Sequence, residues 1–167
     1  MIKLIVLDVD GCMTDGKIIY TQDGVELKNF HVKDGFAIVN WIKLGHHVAI
    51  ITGRDSQIVK NRANELGIQH LYQGIKDKEK VLRDLVSSLN LSFEEVASIG
   101  DDLNDINMLN LVEESFAPSD GVIEVQEIAK TILSKKGGDA AVREMIDILI
   151  DKNNQKKELM RLWVRDR

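Results

Sequence analysis

Short aliphatic runs alternate along this chain with stretches in which apolar residues recur at helical spacing. The runs are typical of β-strands and lie at residues 3–8, 47–52, 70–73, 96–100, 114–117 and 131–134. Helices are predicted between and after them, at residues 35–44, 56–66, 78–89, 104–109 and 139–150. The first run, Leu4-Ile5-Val6-Leu7, contains no polar residue, which indicates a strand buried on both faces. The alternation predicts an α/β fold, a doubly wound parallel sheet.

One segment interrupts this alternation, directly after the first predicted strand. There Asp23-Gly24 separates two runs in which apolar and polar residues alternate. An Asp-Gly pair between such runs is a strong hairpin signal, so we predict a β-hairpin inserted at about residues 17–30. The hairpin is too apolar for a free flap and carries four aliphatic residues, Ile18, Ile19, Val25 and Leu27. It is expected to cover the neighbouring site, to contact another subunit, or to do both.

Composition limits the classes of protein to which the chain can belong. Its 167 residues suffice for one domain with a hydrophobic core. The formal net charge of −5 argues against a nucleic-acid partner. A single cysteine fits a reducing compartment, and no membrane span or signal sequence is expected, so we predict a cytoplasmic protein. One domain is expected over residues 1–150, followed by a polar, peripheral tail over residues 151–167.

Polar residues cluster where the predicted strands end or the following helix begins. The four clusters are Asp8 with Asp10, Thr52-Gly53-Arg54, Lys78, and Gly100-Asp101-Asp102. Because the carboxyl ends of parallel strands meet at one edge of a sheet, these clusters are expected to form a ligand site there. Carboxylate oxygens at such an edge suit Mg²⁺. The Thr52 hydroxyl and the Gly53 amide suit phosphate oxygens, and Lys78 offers a point charge to a phosphate or to a nucleophilic carboxylate.

Each cluster taken alone also has a purely structural interpretation. Asp10 stands before a glycine, as turn residues do, and Thr52 can merely end a strand. Lys78 lies in a charged helix start that is typical of a solvated face. Asp102 is a candidate helix N-cap, and Asp105, one turn further on, is either part of the site or a surface residue. Four clusters in register with the strand–helix alternation favour the functional interpretation.

Taken in order, the four clusters resemble the motifs of the haloacid dehalogenase superfamily of phosphohydrolases. Further segments are similar to the capless sugar-acid phosphatases of that superfamily, at residues 8–16, 28–30, 34–35, 52–56 and 137–144. The likeness extends over roughly residues 3–150 and implies a Rossmann-like haloacid dehalogenase fold without a cap domain. Cys12-Met13, Gln57 and Asp139-Ala140 depart from the family pattern. The first two departures leave the catalytic set intact, and the third bears on substrate contacts.

The resemblance implies a role for each residue of the candidate site. Asp8 would attack phosphorus and form an aspartyl-phosphate, while Asp10 would act first as general acid and then as general base. Mg²⁺ would be bound by Asp8, the backbone carbonyl of Asp10 and Asp101. Thr52 and Gly53 would bind the phosphate, and Thr52 and Lys78 would take part in catalysis. Arg54 would bind the carboxylate of the substrate. Asp102 would orient Lys78 or hold a water molecule at the metal.

For substrate and partners, the resemblance implies a small-molecule sugar-acid phosphate and a second copy of the chain. The expected substrate is 3-deoxy-D-manno-octulosonate 8-phosphate, which Arg54 favours, and the alternative is a nonulosonate 9-phosphate. A homotetramer with shared active sites is implied, in which Gly137-Gly138 reaches a site as a flexible tail. Two other classes remain open, a phospho-acceptor regulatory domain and a noncatalytic assembly domain. Asp10 argues against the first because it would promote hydrolysis, and the complete motif set argues against the second.

Overall fold

A parallel sheet lies at the centre of the computed structural model, which describes residues 1–164. In chain order the strands are β1 (Leu4–Leu7), β2 (Ile19–Tyr20), β3 (Glu26–Leu27), β4 (His47–Ile51), β5 (His70–Tyr72), β6 (Val96–Ile99), β7 (Glu114–Ala117) and β8 (Thr131–Ile132). The helices are α1 (Val32–Lys43), α2 (Gln57–Leu66), α3 (Lys78–Ser88), α4 (Ile106–Leu111), α5 (Ile123–Ile128), α6 (Ala141–Lys152) and α7 (Lys156–Arg161). The predicted α/β fold class is confirmed, and a strand is found at each of the six predicted sheet positions.

The strand order creates a crevice near the middle of this sheet. The order is β5-β4-β1-β6-β7-β8, so the chain moves outward from β1 to β4 and β5 and then returns through α3 to β6 on the other side. In the parallel register, Leu7 of β1 lies beside Ile50 of β4 and Ile99 of β6. Ligands bind at such a reversal of winding, outside the carboxyl ends of the strands. The residues that follow β1, β4 and β6 therefore face one crevice.

Strand β1 is buried on both faces, as its apolar sequence predicts. Ile5 and Leu7 pack on the side of α1, α2 and α6, whereas Leu4 and Val6 pack on the side of α3 and α4. Alternate residues of a strand point to opposite faces, so four consecutive aliphatic residues anchor β1 between two layers of helices. This anchoring fixes Asp8, the next residue, at the carboxyl edge of the sheet.

Several helix ends differ from their predicted positions by up to three residues. Helix α1 begins at Val32 rather than at residue 35, because His31 Nδ1 accepts the Lys33 backbone N–H (3.2 Å) and caps the helix. A 3₁₀ turn over Leu103–Asp105 precedes α4, which therefore begins at Ile106 rather than at residue 104. Helix α5, which has six residues, was not predicted.

The inserted hairpin is present as β2 and β3, and its two faces differ in character. Gly24 at the turn has a φ of +80°, which favours glycine. In β3 and the residues on either side of it, Val25 and Leu27 are exposed, whereas Glu26 and Lys28 project from the opposite face. The hairpin therefore presents an apolar face to the outside and a charged face to the body of the domain.

The chain beyond residue 150 continues as helix and packs on the domain. Helix α6 runs to Lys152, and the segment after α7 lies on α1. The Trp163 ring lies 4.8 Å from the Phe36 ring, and its Nε1–H donates to Asn40 Oδ1 (2.9 Å). The last three residues of the predicted tail lie outside the described residues. Within residues 1–164, the helices are all too short or too polar to cross a membrane.

Candidate active site

Asp8 directly follows β1 and precedes an irregular turn over Val9–Met13. Gly11 in this turn has a φ of +98°, a conformation that other residues rarely adopt. A Cβ atom on Gly11 would also lie only 2.0 Å from Asp101 Oδ2. Glycine at this position therefore allows the loop after β1 to approach the loop after β6, which brings Asp8 and Asp101 into one site.

Lys78 lies between two buried carboxylates. It is the first residue of α3, and its side chain is only 1% exposed. Its Nζ lies 2.6 Å from Asp8 Oδ1 and 2.6 Å from Asp105 Oδ1. Because a buried ammonium is costly unless charged partners compensate it, these contacts account for its burial. Lys78 is therefore part of the site and does not belong to a solvated helix face.

Asp105 supports this arrangement, although its place in the site was left open by the sequence. It is fully buried, and its Oδ2 accepts the backbone N–H groups of Asp101 (3.0 Å) and Asp102 (3.4 Å) while Oδ1 accepts from Lys78. Asp102 does not orient Lys78 as one expectation held. Its side chain is exposed, and Oδ1 accepts the Leu103 N–H (2.7 Å) as a helix cap. The signal for Asp105 was its capping-box spacing from Asp102.

The site carries an excess of negative charge. Burial and the nearby Asp105 raise the pKa of Asp8 to about 8, although the Lys78 ammonium acts in the opposite direction. Burial and the carboxylates of Asp105 and Asp102 raise the pKa of Asp101 to about 7. Burial alone would lower the pKa of Lys78, but Asp8 and Asp105 raise it. The positive charge of Lys78 therefore does not balance the negative charge of Asp8, Asp101 and Asp105. A divalent cation bound among these carboxylates would supply the missing positive charge.

The donor atoms at this point of the site suit a hard cation. Ligand atoms of Asp8, Cys12 and Asp101 lie within 4.8 Å of one another. Burial raises the pKa of the Cys12 thiol, so it stays protonated and donates to Asp101 Oδ1 (3.8 Å). Cysteine binds metals as the thiolate, which leaves the two carboxylates as ligands of the type that Mg²⁺ prefers. The ligand role of the Asp10 backbone carbonyl stays a prediction.

The carboxylate of Asp10 meets two cations that come from other elements. Lys28 Nζ lies 2.5 Å from Asp10 Oδ1, and Arg54 Nε lies 3.9 Å from Asp10 Oδ2. Both cations also contact Glu26, whose Oε1 lies 2.8 Å from Arg54 Nη2 and 3.4 Å from Lys28 Nζ. Ser56 donates to the other oxygen of Glu26 at 2.9 Å. The hairpin thus adds two charged residues, Glu26 and Lys28, that sequence analysis did not assign to the site.

The segment after β4 forms the other wall of the crevice. Thr52 is buried, its N–H donates to the Tyr72 carbonyl (3.0 Å), and its own carbonyl accepts the Ile75 N–H (3.1 Å). Gly53 is exposed, and the side chain of Arg54 is 42% exposed. The backbone of Thr52 is thereby fixed at the edge of the sheet next to β1. Phosphate binding by Thr52 and Gly53 and carboxylate binding by Arg54 stay predictions.

The Gly137-Gly138 segment does not extend away as a flexible tail, which corrects an expectation from the resemblance. Gly138 N–H donates to the Cys12 carbonyl (3.1 Å), and Gly137 N–H donates to Asp120 Oδ1 (2.9 Å). A Cβ atom on Gly137 would lie 1.8 Å from the Gly11 carbonyl oxygen. The two glycines permit close backbone packing on the loop after β1 in the same chain, and so they support that loop.

Comparison with known proteins places this arrangement in a family. A model of the haloacid dehalogenase-like hydrolases matches residues 71–146. The 3-deoxy-D-manno-octulosonate 8-phosphate phosphatase KdsC of Yersinia pestis is 43% identical over 149 residues, which cover 89% of this chain and 80% of that protein. This chain belongs to the KdsC family of haloacid dehalogenase-like hydrolases. The superfamily and the sugar-acid phosphatase family predicted from the motifs are confirmed.

Solved structures extend the KdsC likeness to nearly the whole chain. The phosphatase of Moraxella catarrhalis, in complex with a magnesium ion, a phosphate ion and a KDO molecule, has a TM-score of 0.94 and 36% identity. The match covers 98% of this chain and 94% of that one. The cobalt-bound form of the Haemophilus influenzae phosphatase has a TM-score of 0.88 and 36% identity, covering 92% of this chain and 90% of that one.

Membership of the KdsC family confirms two further predictions. The doubly wound sheet is the fold of these phosphatases, and residues 1–164 contain no separate cap domain. The expectation that the chain is an enzyme of the phosphatase class is confirmed as well.

Proposed function

We propose that this protein is a Mg²⁺-dependent phosphomonoester hydrolase whose substrate is 3-deoxy-D-manno-octulosonate 8-phosphate. The observation that carries the proposal is the buried Asp8 carboxylate, held by Lys78 at 2.6 Å and adjacent to Asp101. A carboxylate fixed at a reversal of strand winding is suited to attack a bound phosphate. The name of the Yersinia pestis relative and the ligands of the Moraxella catarrhalis structure support the same substrate.

Asp8 and Asp101, together with the backbone carbonyl of Asp10, would hold Mg²⁺. When bound, the cation would supply positive charge that offsets the repulsion between a carboxylate nucleophile and an anionic phosphate. The excess of carboxylates around Lys78 is the feature of this chain that fits such an ion.

In the first half-reaction, Asp8 forms a bond to phosphorus. Lys78 holds Oδ1 of Asp8 at 2.6 Å, which fixes the orientation of the attacking carboxylate. The bond between phosphorus and the sugar oxygen breaks, and that oxygen takes a proton from Asp10. Thr52 and the Gly53 N–H bind the non-bridging phosphate oxygens throughout. The products of this step are the free sugar acid and an aspartyl-phosphate.

In the second half-reaction, a water molecule replaces the sugar. Asp10, now a carboxylate, takes a proton from the water as its oxygen attacks phosphorus. The bond from phosphorus to Asp8 breaks, which regenerates the carboxylate and releases inorganic phosphate. A single residue thus serves as acid and then as base, and a phospho-acceptor domain that must preserve its aspartyl-phosphate would have no use for it.

Arg54 is the residue proposed to bind the carboxylate of the sugar acid. Its guanidinium remains partly exposed at the mouth of the crevice, where Nη2 donates to Glu26 (2.8 Å) and to the Tyr20 hydroxyl (3.1 Å). A planar guanidinium matches a carboxylate through two parallel hydrogen bonds. Equal kcat/KM values for 3-deoxy-D-manno-octulosonate 8-phosphate and for sugar phosphates that lack a carboxylate would contradict this assignment. A preference for a nonulosonate 9-phosphate would favour the alternative substrate.

We also infer a homotetramer in which neighbouring chains complete each site. The hairpin beside the site exposes an apolar face, formed by Ile19, Val25 and Leu27, and Ile18 next to it is exposed as well. In a monomer, this apolar face would be exposed to water, and water would compete with the site residues for the bound phosphate. A second copy of the chain covers both the apolar face and the phosphate site.

Substitution of the two aspartates tests the covalent mechanism. Asp8→Asn should abolish turnover and form no phosphoenzyme, because an amide oxygen is a poor nucleophile. Asp10→Asn should lose turnover but still bind Mg²⁺ and accumulate phosphoenzyme from an activated donor such as acetyl phosphate. Asp23→Asn, at the exposed hairpin turn, is the matched control and should behave as wild type.

Mass spectrometry of the acid-quenched protein detects the phosphoenzyme, and released phosphate measures turnover, with and without EDTA. EDTA should abolish hydrolysis, and added Mg²⁺ should restore it. Turnover by Asp8→Asn would exclude Asp8 as nucleophile. A long-lived phosphoprotein in the wild type would indicate the phospho-acceptor instead of the enzyme.

A further inference from the structure

The side chain of Lys28 is buried, although the adjacent residues Leu27 and Asn29 are exposed. Lys28 follows β3, in which Leu27 is 49% exposed, yet the Lys28 side chain is only 1% exposed. An ammonium taken out of water requires charged partners, and a lysine needed only for solubility would extend into solvent. The contacts of the Lys28 side chain must therefore account for its direction, which is toward the sheet and not into solvent.

The nearest partner of Lys28 is the residue proposed as acid and base. Its Nζ lies 2.5 Å from Asp10 Oδ1 and 3.4 Å from Glu26 Oε1. Glu26 already accepts from Arg54 (2.8 Å) and Ser56 (2.9 Å), so it does not depend on Lys28 for a partner. Of the two carboxylates that Lys28 contacts, Asp10 is therefore the one that it holds at the shorter distance.

The backbone around Asp10 does not by itself fix this side chain. Asp10 belongs to the irregular turn after β1, with φ −79° and ψ 108°, and its side chain is 20% exposed. The shortest contact to its carboxylate comes from the hairpin, 18 positions further along the chain, while Arg54 Nε is 3.9 Å away. A charge-assisted hydrogen bond of this kind fixes both the position and the orientation of a carboxyl group.

We propose that Lys28 is a positioning residue for Asp10. By holding Oδ1, it turns Oδ2 toward the phosphate, where that oxygen gives its proton to the departing sugar oxygen and later takes one from water. The inference rests on the proposed function, since it assigns Asp10 the role of acid and base. It also gives the hairpin a part in the chemistry, because the position of β3 sets the position of Asp10.

The leaving group distinguishes this role from a structural one. The oxygen of an alkyl phosphate ester needs a proton as it departs, whereas p-nitrophenolate leaves without one. Lys28→Met should slow phosphorylation of Asp8 by 3-deoxy-D-manno-octulosonate 8-phosphate by about 100-fold, the low end of the range for general acid catalysis. Phosphorylation by p-nitrophenyl phosphate should change by less than about threefold, and the KM for the sugar phosphate should stay close to wild type.

The experiment is a rapid-quench measurement of single-turnover phosphorylation with both esters and Mg²⁺. Lys28→Arg retains a donor and should recover part of the lost rate. Lys17→Met is the matched control, because Lys17 is also on the hairpin segment but its side chain is 74% exposed. Retained phosphorylation by p-nitrophenyl phosphate shows that Lys28→Met is folded and that its nucleophile is intact.

Three outcomes overturn the proposal. An equal loss with both esters assigns Lys28 a structural role, and wild-type rates in Lys28→Met assign it none. A raised KM with unchanged kcat makes it a substrate-binding residue. Each of these leaves the proposed function standing as long as the wild type hydrolyses the sugar-acid phosphate. A wild type that does not hydrolyse it, while p-nitrophenyl phosphate still phosphorylates Asp8, overturns the proposed function and this inference together.

Discussion

At the scale of single residues, the site depends on buried charges that compensate one another. Lys78 lies 2.6 Å from both Asp8 and Asp105, and Asp105 accepts two backbone N–H groups in addition. Removal of one member of such a set leaves an uncompensated buried charge, which typically costs about 3–5 kcal/mol. The stability of this edge of the sheet and the orientation of the Asp8 nucleophile therefore depend on the same contacts.

Asp34, a second buried carboxylate, makes the stability of the protein depend on pH. Its Oδ1 accepts the Arg143 backbone N–H (2.7 Å), whereas Oδ2 has no partner within residues 1–164. Burial raises the pKa of Asp34 from 3.8 to about 6. Because the folded state binds this proton more tightly than the unfolded chain, the contribution of Asp34 to stability is largest below about pH 4 and falls as pH rises to about 6.

Asp34→Asn keeps the acceptor for Arg143 and removes the titrating charge. Relative to wild type, its free energy of unfolding should rise by about 2–3 kcal/mol between pH 4 and pH 7, since each pKa unit corresponds to about 1.4 kcal/mol. Urea unfolding at several pH values measures this difference, in which the other carboxyl groups cancel. Ser87→Ala, at an exposed position of α3, removes no titrating group and should show a constant difference. The same constant difference for Asp34→Asn would contradict the prediction.

At the scale of elements, two loops from distant parts of the chain support each other. A Cβ atom on Gly137 would lie 1.8 Å from the Gly11 carbonyl oxygen, so Gly137→Ala must displace one backbone by more than 1 Å. A displacement of that size in the loop after β1 should lower kcat/KM by about 100-fold. Steady-state kinetics and the thermal unfolding midpoint measure the effect. Ser134→Ala, at an exposed position of the same segment, is the control, and wild-type kinetics for Gly137→Ala would refute the prediction.

How far elements can be predicted depends on the range of the interactions that set them. The apolar run of β1 and the Asp-Gly pair are local patterns, so the end of the strand and the hairpin can be predicted from the sequence. The positions of Asp8 and Lys78 at the ends of elements can be predicted in the same way. Contacts between elements are not local. A period of two places Glu26 and Lys28 on one hairpin face, but it does not show that this face meets Asp10. Helices α5 and α7, with six residues each, were not predicted from the sequence.

At the scale of the whole molecule, the two faces of the hairpin serve different functions, one in the active site and one in assembly. The inner face carries Glu26 and Lys28 into the site. The outer face exposes Val25 and Leu27, which are 58% and 49% exposed. Because successive strand residues alternate between faces, a partner that covers the outer face holds the inner face in place without touching it. Assembly and catalysis are therefore expected to depend on each other.

Leu27→Lys tests this dependence, since a charge on the outer face opposes burial there and leaves the inner residues unchanged. The wild type should elute as a tetramer in size-exclusion chromatography with light scattering, and the variant as smaller species. Its kcat should fall by about tenfold or more, because the hairpin then no longer holds Asp10 through Lys28 and the site opens to water. Ile123→Lys, on α5, is the control, since Ile123 is 62% exposed and lies outside the hairpin. A monomeric Leu27→Lys with full activity would show that each chain completes its own site.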